Sequence, residues 1–515
     1  MTSQAQSPPT WAAAQLRLRT AVGDWIRKSI ARQQGLPWQG GHDEGSFVAS
    51  WFGYYLLTGD HAVLDFLRWL GEGFLRWTRA NLFHGYYAEG EAHHQPENFI
   101  FFLPRLWHVD SDPRVAEALD DAAHHAGNWV EGSPPWYDWE RHRFRSWRLG
   151  TRQVISEPPC EIEHPDHFRI VHMALCAYRA AGDERYVDLA RDFCGRWARE
   201  ILAGDPLPAL RRFKEDGADE RYPRGLVGST AAGPEERLEL HIGAGTTDAL
   251  LDLFAVTREE SLAAAARKIL ACGAHLLGEP HSHPLAAAWR KYRIITGDTT
   301  LDSEIETRVG PSEADAESAM LLLRPRGPHP MGVGQRRDQV SWVISEGGER
   351  WRPDQRPSSA ALVLNWDVTG DEKAAAQAMN MAAERMELGA AALADGREHG
   401  CAGRTVTAVA SGHGRSAGIG EVTGTLYPLA LGAFRRFGAD DPQALISHED
   451  RRGLPEGCAA LWRHSRPRRL QIFNSGKEPA HLAINLSPPG GEAGPAAREV
   501  VVGPGELLEL EAGGT

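Results

Sequence analysis

The chain has 515 residues, 42% of them hydrophobic, which is enough to bury a large core. A net charge of -13 and a pI near 5.9 disfavour nucleic acid as a partner, because phosphate binding needs a basic footprint; a small or neutral ligand fits better. No apolar run reaches membrane-spanning length, and the polar stretch Met1 to Pro9 lacks the regions of a signal peptide, so no membrane partner and a cytoplasmic location are expected. The six scattered cysteines contain no CxxC pair and fit reduced thiols.

In chain order, Trp11 to Gln33 reads as one long unpaired helix. After it an apolar helical run repeatedly ends in a short acidic or Gly-Asp turn, and a second run begins. The turns are Gly59-Asp60, Asp110-Ser111-Asp112, Gly182-Asp183, Thr257-Arg258-Glu259, Gly297-Asp298, Gly370-Asp371 and, more loosely, Gly438-Ala439-Asp440. Gly takes the left-handed C-cap and Asp accepts from the free N–H groups of the next helix, so each repeat is expected to be a helical hairpin. First helices are placed at about 45–58, 97–108, 166–181, 246–256, 284–296, 358–369 and 421–437. Their partners lie at about 60–79, 112–131, 183–203, 258–277, 298–308 and 371–394. The seventh has no convincing partner, and packing the N-terminal helix against it would close a ring of six or seven hairpins.

This gives a mainly α fold, an (α/α)6 or (α/α)7 barrel over residues 10–440, with an insertion at about 309–356. A small antiparallel β-sheet appendage is expected over 455–515, from strand-like runs at 470–473, 481–486, 499–502 and 507–510. If the hairpins stack side by side, all short turns share one end and all long loops the other. Function belongs to the long-loop end.

The long loops carry the polar clusters. Glu91-Ala92-His93-His94-Gln95-Pro96-Glu97-Asn98-Phe99 and Glu161-Ile162-Glu163-His164-Pro165-Asp166-His167-Phe168 align on their prolines, pairing Glu97 with Asp166 and Asn98 with His167. His42-Asp43-Glu44 precedes the first hairpin, and His241 and Asp248 flank the start of the fourth. Capping accounts for an acid ahead of a helix and not for the histidines beside it. Convergent carboxylates and imidazoles suit proton transfer, and Trp rings suit the C–H faces of pyranoses. Asp43, Glu44, Glu97, Glu163, His164, Asp166, His167 and Asp248 are the candidate catalytic groups. His42, His93, His94, Asn98, His241, Trp38, Trp136, Trp139, Arg141, Trp342 and Arg415 are the candidate substrate contacts. For Trp136 and its neighbours, packing of a long loop is the competing reading. A divalent metal at the His and carboxylate cluster is an alternative without support from an HExxH or Cys-based spacing, so no cofactor is required.

The hairpins and loop clusters together resemble the (α/α) toroid architecture of many glycoside hydrolases and polysaccharide lyases. The resemblance covers about residues 10–440 and is architectural, without a residue-by-residue signature. It implies an enzyme that cleaves a glycosidic bond in an oligosaccharide, with paired carboxylates performing hydrolysis. A uronic-acid-containing substrate is the leading expectation. The alternatives are β-elimination by a His or Tyr base such as Tyr87, and a non-enzymatic helical-repeat scaffold. The acidic, Trp-rich surface is compatible with a homo-oligomer.

Overall fold

The computed structural model describes residues 8–33, 45, 48–157, 160–212, 233–279, 283–311, 320–323, 340–344, 351–352, 357–394, 424–465, 467–487 and 497–512, with backbone alone at a few of them. Six helical hairpins are present among these residues. They are α2 (Ala49–Thr58) with α3 (His61–Asn81), α4 (Glu97–Phe101) and α5 (Leu103–Asp110) with α6 (Pro113–Ala126), and α7 (His167–Ala181) with α8 (Glu184–Ala203). After the short α9 (Pro234–Gly243) come α10 (Thr246–Thr257) with α11 (Glu260–Cys272), α12 (His283–Thr296) with α13 (Asp302–Arg308), and α14 (Ser359–Thr369) with α15 (Glu372–Ala394).

The turns form as their residues dictate. Gly59, Gly182, Gly297 and Gly370 take φ of 66°, 75°, 70° and 74°, and Asp60, Asp112, Asp183 and Asp371 each accept a hydrogen bond from the backbone N–H two residues on. At the fourth turn Arg258 itself adopts the left-handed conformation and Glu259 makes no capping bond.

The first helices of successive hairpins touch in the order α2, α5, α7, α10, α12, α14 and form the inner wall; their partners lie outside. Inner helices are buried on nearly every face, as in α10, where Thr246 to Phe254 are all buried. The outer α8 buries one stripe: Tyr186, Leu189, Phe193, Trp197 and Ile201. α1 (Thr10–Gln33) lies mainly along α15; it also touches α2 and, as expected, the last helix at Leu426–Leu431, bridging the first and sixth hairpins.

Among the described residues no seventh helical hairpin forms. Of the described part of 421–437 only α16 (Leu426–Leu431) is helical, and it ends at Gly432 with φ 64°. The chain then turns back as a β-hairpin, Phe434–Arg436 against Ala439–Asp441. That hairpin contacts α5, α10 and α12 and plugs the ring interior. Arg179, in the last turn of α7, donates to the Arg436 carbonyl at 3.0 Å, which places the plug toward the short-turn end.

The C-terminal sheets begin earlier than expected, at Ala444. Strand Ala444–His448 pairs with Ala480–Leu486, and Cys458–Arg463 pairs with Arg469–Asn474. The latter sheet docks on the barrel through Gln15, whose amide both donates to the Ala460 carbonyl and accepts from its N–H (2.7 Å).

Candidate active site

Two groups of buried polar residues line the inner wall. The first lies at the long-loop end, where His93 sits between Glu97 and Asp166, the two acids that the proline alignment makes equivalent. His93 Nδ1 donates to Asp166 Oδ1 at 3.2 Å, and its Nε2 is 3.5 Å from Glu97 Oε1. Neither acid is a helix cap: Glu97 accepts from Arg169 Nη1 at 2.6 Å, and Asp166 makes no capping bond. Asp166 Oδ2 instead accepts from Trp147 Nε1 at 3.1 Å and lies 3.0 Å from His164 Nδ1. Burial alone would raise the Asp166 carboxyl, but the His164 and His93 charges and hydrogen bonds outweigh it and hold it well below the usual range. Burial, reinforced by the Arg169 charge, pushes His93 down. Although burial disfavours its charge, His94 is raised by its hydrogen bond to Glu91 (3.1 Å) and the Glu97 charge.

Arg169 continues inward, donating to the Gly243 carbonyl at 3.0 Å. One turn further along α7, His172 Nε2 contacts Asp252 Oδ2 at 3.1 Å. Asp252 also accepts from the plug's Phe437 N–H at 2.8 Å, so an inner-wall carboxylate fastens the plug. Asp248 and Asp252, four residues apart on α10, share Lys291 of α12 at 3.0 and 2.8 Å. Asp248 also pairs with the plug's Arg435.

The second group surrounds a cavity of about 40 Å³ above the plug. Asp248, Asp440, Arg105, Arg290, Lys291 and Arg435 line it, with Ala287, Ala360 and Phe434 as its apolar wall. This volume corresponds to a few waters, at roughly 10–15 Å³ each. The two carboxyls are driven in opposite directions. Burial favours the neutral acid in both, but at Asp248 the Arg435 and Lys291 charges prevail and lower it. At Asp440 burial prevails over Arg105 and Arg435 and raises it. The Arg105 Nε to Asp440 Oδ2 separation is 3.7 Å, too long for a hydrogen bond.

Several expected site residues have other roles. The carboxylate of Glu163 is fully enclosed, accepting from Phe144 N at 3.0 Å and Trp197 Nε1 at 3.2 Å and pairing with Arg196, so it ties a loop to α8. His167 donates from Nε2 to the Ser146 carbonyl at 2.8 Å and accepts at Nδ1 from the His164 N–H at 3.1 Å, and burial pushes it down to about 4. His241 is likewise held by Thr246 Oγ1 and the Pro208 carbonyl, and burial lowers it to about 4. These bonds tie all three side chains into the fold.

Trp136 is no sugar platform: it is fully buried and donates to the Gly150 carbonyl at 3.0 Å. Trp139 is partly exposed against Trp129 and Tyr137, and Arg141 pairs with Asp138 at 3.4 Å, both apart from the cavity lining. Tyr87 is exposed and meets Trp77 edge-on. Asn98 lies in α4 and Trp342 in strand Val340–Ile344, each with its backbone alone described. Trp38, His42, Asp43, Glu44 and Arg415 lie outside the described residues.

Sequence reasoning passed over Asp440, Asp252, Arg105, Arg169 and Lys291. The available signal was a charged residue inside an otherwise apolar inner helix, as at Asp248 and Asp252 in Thr246–Thr257. Among the described residues, no group of three or more His, Cys, Asp or Glu side chains gathers as a metal site. No described helix is long and apolar enough to cross a membrane.

No family model matches the chain, and no curated relative matches it. Solved structures give distant likenesses. An unsaturated glucuronyl hydrolase from Bacillus sp. GL1, responsible for the degradation of glycosaminoglycan, is 12% identical over 78% of this chain and 87% of its own, with a TM-score of 0.38. A UGL variant with dGlcA-Glc-Rha-Glc is 13% identical over 72% and 83%, with a TM-score of 0.37. A GH127 beta-arabinofuranosidase is 12% identical over 93% and 68%, with a TM-score of 0.27. Likeness at this level says nothing about the reaction, which has to be argued from the side chains.

Proposed function

We propose that this chain is a glycoside hydrolase acting on an oligosaccharide that contains a uronic acid. One observation carries the reading. Asp248 and Asp440 line the same buried cavity while their surroundings drive them apart, one toward the carboxylate and the other toward the acid. Opposed environments of this kind separate an acid from its partner in two-carboxylate glycosidases.

In this reading Asp440 gives its proton to the leaving oxygen as the glycosidic bond breaks. Asp248 stays ionised and faces the positive charge developing at the anomeric carbon; water then takes the glycosyl group and gives its proton to the Asp440 carboxylate, which restores the acid. A carboxyl held low by Lys291 and Arg435 is a weak base, so Asp248 suits a nucleophile or charge stabiliser better than a proton acceptor. Three of the four cations on the cavity wall are already neutralised, Lys291 and Arg435 by Asp248 and Asp252 and Arg290 by Asp367, which leaves Arg105 to favour an anionic sugar over a neutral one.

Asp248→Asn and Asp440→Asn variants, assayed on neutral and uronate-containing oligosaccharides, test the assignment. Loss of turnover in both with folding retained supports it, and wild-type rates in either remove that residue. A second reading, β-elimination, draws on His93, which burial keeps toward its neutral, basic form beside Asp166. It predicts unsaturated products that absorb in the ultraviolet.

A further inference from the structure

We infer that Arg105 is the anchor for the substrate's carboxylate and the residue that selects a uronate over a neutral sugar; this rests on the cavity between Asp248 and Asp440 being the substrate site. The argument is one of occupancy. Of the four cations on the cavity wall, three are committed. Lys291 bridges Asp248 and Asp252, and Arg435 pairs with Asp248. Arg290 holds Asp367 at 2.5 Å and also donates to the Ala433 carbonyl at 2.6 Å.

Arg105 differs. It is 1% exposed, and its one hydrogen bond among the described residues runs from Nη1 to the Phe101 carbonyl at 2.6 Å. Its Nε makes none, and neither does Asp440 Oδ2, which it faces at 3.7 Å. A buried guanidinium and a buried carboxyl therefore face one another as an ion pair at 3.7 Å without a hydrogen bond between them, beside a void of about 40 Å³, whereas the other three cations each touch a carboxylate at 3.0 Å or less. Buried charges are ordinarily fully paired, so the gap marks a place for a third group. That group has to be small, anionic and able to accept from a planar fork, and a carboxylate meets all three conditions. The void admits that carboxylate in place of its waters but not the pyranose ring behind it, so binding requires the wall around the void to open. A neutral hexose bears a hydroxymethyl group there and leaves the guanidinium unpaired.

Calorimetric titration of the full chain with glucuronate and with glucose tests this. Wild type is expected to bind glucuronate more tightly, and Arg105→Gln to lose roughly 10- to 100-fold in glucuronate affinity with glucose binding unchanged. Arg105→Lys, which keeps the charge without the fork, should fall between. Should both variants fail to fold, wild-type crystals soaked in glucuronate decide: a carboxylate oxygen within hydrogen-bond reach of Arg105 is expected, and a carboxylate seated elsewhere overturns the inference. Wild-type binding that ignores the carboxylate, or undiminished glucuronate binding by folded Arg105→Gln, also overturns it. Arg105-dependent glucuronate binding in a protein that cleaves no oligosaccharide would uphold the anchor and defeat the hydrolase reading.

Discussion

In the proposed reaction single residues on the inner wall carry the chemistry, and each predicts a separate outcome. Asp248→Asn should lower the rate by roughly 100- to 10,000-fold and also lower the melting temperature, because it leaves Lys291 and Arg435 without their buried carboxylate; Asp440→Asn, which replaces a carboxyl already driven toward its neutral form, should lose as much activity with a smaller change in melting temperature. Steady-state kinetics on one oligosaccharide measures both. Asp166 answers to stability instead. Its folded carboxyl lies below its unfolded value, so its contribution is fully present above the unfolded value and is lost as pH falls toward the folded one. His167 and His241, lowered by burial to about 4, act in the same direction as pH falls from about 6.5: the unfolded chain protonates first. Urea midpoints should therefore drop on acidification. Asp166→Asn should be less stable at neutral pH, and its midpoint should vary less below about pH 5.

At the scale of elements, the hairpins were legible because their punctuation is local. Gly in the left-handed conformation followed by an N-capping Asp is a rule that three of the turns obey, at Gly59, Gly182 and Gly370. Asp183→Ala should cost about 1 kcal/mol in denaturant unfolding, the usual worth of such a cap.

The plug was not legible. Leu426 to Phe437 reads as a helix by its apolar content, and only tertiary contacts turn Phe434–Asp441 into a hairpin: Phe437 N–H on Asp252, and Arg436 O on Arg179. The site was half legible for the same reason. Loop histidines and acids near prolines announce themselves in sequence, whereas Arg105 or Lys291 looks like any charge on a helix until its helix proves to be an inner one. Gly438 gives a test of the plug. It has φ 73°, and an added Cβ would meet Cys176 Sγ at 2.8 Å and Pro104 at 3.0 Å. Gly438→Ala should push the hairpin off the wall, lowering both melting temperature and activity, since Asp440 moves with it.

At the scale of the whole molecule, α1 closes a ring that the hairpins alone leave incomplete. Trp11, Leu18, Val22, Trp25 and Ile26 are buried, and Gln15 joins the helix to the C-terminal sheet. Trp25→Ala should cost about 3–5 kcal/mol in unfolding free energy, and the transition should stay cooperative if barrel and sheet unfold together.

The central claim is that this ring holds a hydrolytic two-carboxylate site. Its most direct test is mass spectrometry of the products formed by wild type and Asp248→Asn from a panel of uronate-containing and neutral oligosaccharides. The account predicts uronate-containing substrates cleaved with the addition of one water by wild type and left intact by the variant. Cleavage without added water, or equal cleavage by the variant, would contradict it.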